Sequence, residues 1–261
     1  TSGALLLTDD GDLAHHVLHP RFGIEKEYAA EVEGIPGEEA LAVLRQMQTL
    51  GTIPLNDATA ISQARDKLCA LQILQAAGLP VPETAFALSP KDLPKAIDQV
   101  GGVPVVIKLL DSSQGVGVML AETRQTARQI MDTLLRLRTD ILVQRYVAES
   151  AGRDLRVWVI DGVVVAAMER RAAPGEFRAN LHRGGSALPA LLSAEEEAVA
   201  IAAAKALGLQ VAGVDLLRSR AGPLVIEVNA TPGLEGIEKA TGLDIAGKVL
   251  DVLERMLDAP R

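Results

Sequence analysis

Two hairpin signals in the second half of the chain constrain its fold more than any other feature. Each joins a pair of β-rich runs through a short turn: 155–160 with 163–168, and 211–217 with 224–228. The first turn is Asp161-Gly162, a dipeptide that favours a tight two-residue connection. Strands joined by so few residues pair antiparallel. The second half of the chain is therefore predicted to form an antiparallel sheet.

Helical and strand patterns alternate in the first half. The apolar spacing predicts helices over residues 38–50, 65–77, 90–101 and 123–137, with strands over 104–110, 118–121 and 141–146. Further helices are predicted over 193–207, which opens on a Ser193/Glu196 capping box, and over 244–257. Alternation early and hairpins later predict an α+β fold with two sheets.

Composition excludes several classes of protein. The 261 residues are enough for two modest domains or for one large domain with a lobed core, and 48% of them are hydrophobic. No apolar run approaches the roughly 20 residues of a membrane helix. The single cysteine, Cys69, excludes an internal disulfide framework and fits a reducing compartment. We therefore expect a cytoplasmic protein with no membrane partner.

The negative charge is concentrated at the N-terminus. Residues 1–40 carry nine acidic and two basic side chains, a net charge of −7, whereas the other 221 residues carry −1. Binding to a phosphate backbone requires clustered Lys and Arg. We therefore expect no direct nucleic-acid partner.

Lys108 interrupts a strongly apolar strand. A buried ammonium is costly unless it reaches water or an anion. Six residues later, the glycines of Gln114-Gly115-Val116-Gly117 expose backbone N–H groups that suit phosphate. The alternative is a plain hairpin.

Three oxygen-bearing side chains interrupt the last two apolar strands. Side chains alternate across a strand, so Glu227 and Asn229 share one face, and the hairpin brings Asp215 near it. Such a set suits Mg²⁺ or Mn²⁺. The alternative is a polar face that meets water. Between these strands and the first hairpin, residues 169–185 are predicted to form a basic loop that either is solvated or binds phosphate or carboxylate.

A series of motifs resembles the RimK-type ATP-grasp ligases from about residue 41 to the C-terminus. The motifs are Asn56-Asp57, Arg65-Asp66-Lys67, Gly78-Leu79-Pro80-Val81-Pro82, Val106-Ile107-Lys108-Leu109-Leu110, Gln114-Gly115-Val116-Gly117-Val118, Phe177-Arg178-Ala179-Asn180-Leu181-His182-Arg183-Gly184-Gly185 and Glu227-Val228-Asn229-Ala230-Thr231-Pro232-Gly233-Leu234-Glu235-Gly236. The resemblance implies an ATP-grasp fold with nucleotide between two sheets. It divides the chain into a remnant of a preceding domain (41–64), a central lobe (65–148) and a C-terminal lobe with the metal site (149–261).

The resemblance also implies site residues. ATP would be bound by Lys108, Gly115, Gly117, Arg145, Tyr146, Asp154, Arg178 and Asn180, with Arg178 also catalytic. Two Mg²⁺ or Mn²⁺ ions would be held by Asp215, Glu227 and Asn229. The implied reaction adds L-glutamate to a protein C-terminus, that of the sixth small-subunit ribosomal protein or a growing poly-glutamate, through an acyl-phosphate. The implied enzyme is a homo-oligomer.

The N-terminus departs from this pattern. The family's preceding α/β domain is largely missing, and residues 1–36 resemble a fragment of the small-subunit-type RNA pseudouridine synthases without its catalytic Asp. Three alternatives to the glutamate ligase therefore remain: a nucleotide-binding module that does not catalyse, another amino-acid ligase of the ATP-grasp class, and an RNA-binding protein.

Overall fold

The computed structural model describes residues 37–87, 89, 91–110, 117–136, 139–179 and 184–258. These residues form two antiparallel sheets with helices around them, in agreement with the α+β prediction. The resemblance of residues 1–36 to a pseudouridine synthase lies outside the described residues.

In the described part of the chain, which begins at residue 37, three helices precede the first strand: α1 (Glu38–Thr49), α2 (Ala58–Arg65) and α3 (Lys67–Ala76). The single helix predicted over 65–77 was therefore incomplete, because α2 was missed. Asp66 explains the division, since its carboxylate accepts hydrogen bonds from the N–H groups of Leu68 and Cys69 and caps α3. Asp57 caps α2 in the same way.

The first sheet has four strands in the order β1-β4-β2-β3. Its elements are β1 (Thr84–Ala87), α4 (Leu93–Gln99), β2 (Val105–Leu109), β3 (Val118–Ala121), α5 (Arg124–Arg136) and β4 (Ile141–Arg145). Helices α4 and α5 pack on one face through Ile97 and Met131, which are buried against β2 and β4. The sequence predicted these strands and helices except β1.

The second sheet has five strands in the order β7-β6-β5-β8-β9. The elements of this part of the chain are β5 (Arg153–Ile160), β6 (Val163–Arg171), β7 (Ser186–Pro189), α6 (Ala194–Ala206), β8 (Val211–Ser219), β9 (Gly222–Asn229), α7 (Leu234–Thr241) and α8 (Ile245–Asp258). Helices α2, α3 and α6 cover one face, and α7 and α8 cover the other. Both predicted hairpins, β5–β6 and β8–β9, are present. The predicted capping box of Ser193 and Glu196 begins α6.

Asn56 ties the segment before α2 to the second sheet. Its side chain is buried, and its amide nitrogen donates to the carbonyl oxygens of Val211 at 2.7 Å and Ala230 at 2.8 Å. Its amide oxygen accepts from the N–H groups of Gln210 and Val211. All of its strong hydrogen-bonding groups are therefore paired, as a buried amide requires.

The predicted basic loop over 169–185 was too long. Strand β6 continues through Arg171, so Arg170 is a strand residue and is buried. Arginine is rarely buried unless its charge is paired, and here the carboxylates of Asp154 on β5 and Asp215 on β8 pair with it. Among the described helices, none is long and apolar enough to cross a membrane.

Candidate active site

A cavity lies between the two sheets and is bounded on one side by α3. The cavity has a volume of about 180 Å³ and opens to solvent. Its apolar lining includes Ala70, Leu71, Leu74, Val106, Leu142, Val225 and Val228, and its polar lining includes Lys67, Lys108, Gln144, Arg145, Tyr146, Asp154, Arg170, Arg178, Asp215 and Glu227. Most of the site residues inferred from the sequence therefore face one cavity.

Two ammonium groups reach this cavity from different elements. Lys108 extends from β2, and Lys67 begins α3, where its Nζ donates to the carbonyl oxygen of Leu110 at 2.8 Å. Burial lowers the pKa of Lys108, and the carboxylate of Glu227 partly opposes this effect. The sequence placed Lys67 in a motif but gave it no role. Two cations close together at a cavity wall favour an anionic ligand.

Gly117 directly precedes β3 and is the described part of the predicted phosphate loop, Gln114–Gly117. Its φ of +72° lies in the left-handed region, which favours glycine. Its carbonyl oxygen accepts from the N–H of Leu109 at 3.0 Å, and a Cβ at this position would lie 2.5 Å from Leu109 Cδ1. Both the conformation and the close approach therefore require glycine. Gly115 lies outside the described residues.

The end of β4 and the residues directly after it line the cavity. The N–H of Arg145 donates to the carbonyl oxygen of Glu83 at 2.8 Å, and the N–H of Tyr146 donates to that of Pro104 at 3.4 Å. The guanidinium of Arg145 also lies 3.0 Å from the Glu83 carboxylate. These contacts hold the backbone of Arg145 and Tyr146 in place at the cavity.

Four charged side chains form a buried network on the face of the second sheet that borders the cavity. Arg170 binds Asp154 through two hydrogen bonds of 2.7 and 2.8 Å and also donates to Asp215 at 2.8 Å. Arg156 binds the two oxygens of Asp215 at 2.8 and 2.7 Å. The side chains of Arg170 and Asp215 are only 5% and 3% exposed. The charged groups of the network have therefore lost most of their contact with water and are paired with opposite charges instead.

The pKa values of the two aspartates shift in opposite directions. Burial alone would raise the pKa of Asp215, but the guanidinium groups of Arg156 and Arg170 hold it below its usual range. Burial raises the pKa of Asp154, and Arg170 offsets only part of that effect. The difference follows from geometry, because Asp215 contacts two guanidinium groups whereas Asp154 contacts one and is repelled by Asp215.

Asp215 and Glu227 lie opposite each other in the β8–β9 register, and Asn229 lies two pairs further along, opposite Gly213. All three therefore share one face, as the sequence predicted. Glu227 is exposed and lines the cavity, whereas Asn229 lies beyond its lining and donates from Nδ2 to the carbonyl oxygen of Gly213 at 3.2 Å. Asp215, Glu227 and Asn229 together supply two carboxylates and one amide. In the described ranges, no group of three or more His, Cys, Asp or Glu has metal-binding geometry.

The oxygen set fits a hard divalent cation. Asp215 accepts two N–H groups at Oδ2 and one at Oδ1. Oδ1 is therefore the oxygen with more capacity left for a ligand, on the face that also carries Glu227. Carboxylate and amide oxygens are the ligands that Mg²⁺ prefers.

Arg178 crosses from the second sheet towards the first. Its Nη1 donates to the carbonyl oxygen of Val118 on β3 at 3.1 Å, and its Nε and Nη2 donate to the carboxylate of Glu176. Glu176 was not identified from the sequence. The one sequence feature that could have indicated it is its position, two residues before Arg178. Asn180 lies outside the described residues.

Comparisons with known proteins show the family to which the chain belongs. A family model described as the RimK-like ATP-grasp domain matches residues 64–253. The chain belongs to this family. The RimK-like chain is 54% identical over 214 residues to a probable alpha-L-glutamate ligase of Shewanella frigidimarina, covering 82% of this chain and 71% of that protein. It is 55% identical over 214 residues to a probable alpha-L-glutamate ligase of Thioalkalivibrio sulfidiphilus, with the same coverage.

Solved structures show the same fold. The ATP-grasp ligase PsnB, complexed with a phosphomimetic variant of its minimal precursor, Mg and ADP, matches this RimK-like chain with a TM-score of 0.66 and 25% identity, over 84% of this chain and 67% of PsnB. The D-alanine–D-alanine ligase of Bacillus anthracis complexed with ATP matches with a TM-score of 0.64 at 22% identity, over 80% of this chain and 71% of that one, which supports the fold alone. These matches do not support the resemblance of residues 1–36 to a pseudouridine synthase.

Proposed function

We propose that this RimK-like protein is an ATP-dependent ligase that joins the amine of L-glutamate to the C-terminal carboxylate of a protein or peptide. One observation carries the proposal: Lys108 and Glu227 face the same cavity from different sheets, with Asp215 beside Glu227. A triphosphate with its cation requires positive charge on one side and oxygen ligands on the other. The names of the relatives supply the amino acid.

We assign the nucleotide to the cavity between the sheets. The base lies against the apolar lining beside Arg145 and Tyr146, and Asp154 lies towards the ribose. Lys108, Arg178 and the loop through Gly115 and Gly117 contact the phosphates, together with Asn180. Each proposed lobe, 65–148 and 149–261, contains the strands of one sheet, although α3 also packs in the core of the second sheet.

We assign the divalent cations, two Mg²⁺ or Mn²⁺ ions, to Asp215, Glu227 and Asn229. PsnB with Mg and ADP supports the choice of Mg²⁺. Bound there, the cations would neutralise charge on the phosphate oxygens. The protein holds the oxygen ligands in position. The guanidinium groups of Arg156 and Arg170 do this for Asp215 by donating hydrogen bonds to its carboxylate.

The proposed reaction has two steps. The acceptor carboxylate attacks the γ-phosphorus of ATP, so that an acyl-phosphate forms and ADP leaves. The amine of glutamate then attacks the acyl carbon, the C–O bond to phosphate breaks, and an amide forms with loss of a proton and release of phosphate. Arg178 donates N–H groups to the transferring phosphoryl oxygens, where negative charge develops.

The proposal predicts glutamate-dependent ADP release. With Mg²⁺, ATP and a peptide ending in glutamate, we expect ADP release at least about tenfold faster with L-glutamate than with L-glutamine or D-alanine, because a site that pairs a charged carboxylate rejects an analogue lacking it. Mass spectrometry should show one added glutamyl residue for each ADP. ADP release without an extended peptide would contradict the ligase assignment. If ADP release is faster with another amino acid, that amino acid and not glutamate is the substrate.

A further inference from the structure

The loop that follows β6 is fixed to the second sheet before it reaches the cavity. The N–H of Ala172 donates to the carbonyl oxygen of Gly152 at 2.8 Å, and the N–H of Glu176 donates to that of Ala173 at 3.0 Å, which forms a tight turn. The same loop packs against Gly152, where a Cβ would lie 3.2 Å from the Cβ of Ala172. The backbone that carries Glu176 and Arg178 therefore has a defined position.

The carboxylate of Glu176 accepts four hydrogen bonds from its own loop. Oε1 accepts from the N–H of Phe177 at 2.9 Å, the N–H of Arg178 at 3.1 Å and Nε of Arg178 at 2.9 Å. Oε2 accepts from Nη2 of Arg178 at 2.6 Å. The two backbone bonds hold the carboxylate in place, so the two guanidinium bonds act on an anchored group rather than on a mobile side chain.

The guanidinium of Arg178 is thereby oriented across the cavity. A guanidinium is planar, and its Nε–Nη2 edge lies on Glu176. Its Nη1 consequently points to the first sheet, where it donates to the carbonyl oxygen of Val118 directly after the phosphate loop. The ring of Phe177 lies 5.3 Å from the guanidinium carbon and adds a cation–π contact.

We propose that Glu176 is a positioning residue that orients Arg178 towards the phosphates of the nucleotide. This inference rests on the proposed role of Arg178 in the transfer of the phosphoryl group. A donor that is already aimed at developing charge stabilises a transition state without reorganising. Without the anchored carboxylate, the flexible arginine would sample other rotamers, and a displacement of about 1 Å lowers rates by up to about 100-fold.

Glu176 retains its negative charge at every pH used for an assay. The hydrogen bond from Arg178 lowers the pKa of Glu176 to about 2, and bonds from the backbone N–H groups add to this effect although burial opposes it. The ion pair is therefore present above the ordinary pKa of a glutamate and is lost only as the pH falls through about 2. A pH change in the neutral range leaves it intact.

Kinetics of Glu176→Gln tests the proposal. Glutamine still accepts a backbone N–H bond but lacks the charged pair of oxygens, so we expect kcat to fall about 30-fold while KM for ATP changes less than about threefold. Glu176→Asp, which keeps the carboxylate, should recover part of the loss. Glu197→Gln, on the exposed side of α6, is the control and should leave both constants unchanged.

A double variant separates positioning from a general effect on the loop. If Glu176 acts through Arg178, the change Glu176→Gln should lower kcat no further once Arg178→Gln is present. An undiminished loss in that background, or an unchanged kcat in Glu176→Gln alone, would overturn the proposal.

Nitrogen-15 NMR of arginine side chains tests the same contact without turnover. The Nε–H of Arg178, assigned with Arg178→Lys, should exchange slowly with solvent in the unaltered protein and rapidly in Glu176→Gln. Equal exchange rates would contradict the inference. Because this measurement needs no substrate, failure of glutamate-dependent ADP release would refute the proposed function and leave the test of Glu176 valid.

Discussion

Replacing Arg170 with methionine is expected to lower the free energy of unfolding by about 3–5 kcal/mol, the range for breaking a buried ion pair by removal of one partner. Methionine fills a similar volume but cannot donate to Asp154 or Asp215. Asp215 retains Arg156, whereas Asp154 loses the guanidinium that both of its oxygens contact. Urea unfolding followed by circular dichroism measures the change.

The exposed pair of Arg255 and Asp161 provides the matched control. Their side chains are 62% and 58% exposed, so Arg255→Met should cost less than about 1 kcal/mol. Adding Asp154→Asn to Arg170→Met should recover part of the lost stability, because the unpaired charge is removed. Equal unfolding free energies for Arg170→Met and Arg255→Met would show that the network contributes nothing to stability.

Replacing Glu227 with glutamine is expected to lower the rate of ADP release about 1000-fold with little change in stability. A cation at the phosphates contributes several kcal/mol of transition-state stabilisation, and each 1.36 kcal/mol is tenfold in rate. Glu227 is exposed, so its replacement should change the unfolding free energy by less than about 0.5 kcal/mol. Steady-state ADP release and urea unfolding on the same preparation measure both quantities.

Two further variants serve as comparisons for Glu227→Gln. Glu254→Gln on the exposed side of α8 should retain full turnover. Asp215→Asn should lose turnover and stability together, because Asp215 also neutralises Arg156 and Arg170. If Glu227→Gln keeps more than about a third of the rate of ADP release, the assignment of a metal to Glu227 is wrong.

The sequence predicted the two hairpins of the second sheet for a physical reason, because period-two alternation and short turns are local signals. The pairing of Asp215 with Glu227 needs more than the turn. Counted from the turn, Asp215 would lie opposite Ile226, and the register shift between Asp215 and Leu216 places it opposite Glu227 instead. Lys108 was identified because a charge inside an apolar strand requires an explanation.

Other features depend on contacts between distant segments, and local sequence patterns do not predict such contacts. Strand β7 exists because β6 provides a partner, since its four residues carry little signal of their own. The burial of Arg170 depends on carboxylates 16 and 45 positions away. The role of Glu176 can be inferred only from the side-chain geometry of Arg178, and the residue types alone do not show that geometry.

The cavity between the sheets should bind a nucleoside triphosphate through Lys108. Isothermal titration calorimetry of ATP with Mg²⁺ measures this binding in the unaltered protein, in Lys108→Ala and in Lys95→Ala, which replaces a lysine on the exposed side of α4. We expect one ATP per chain, affinity about 100-fold weaker in Lys108→Ala because a buried charge pair to phosphate is lost, and unchanged affinity in Lys95→Ala. Equal ATP affinity in all three proteins would show that Lys108 does not bind the nucleotide.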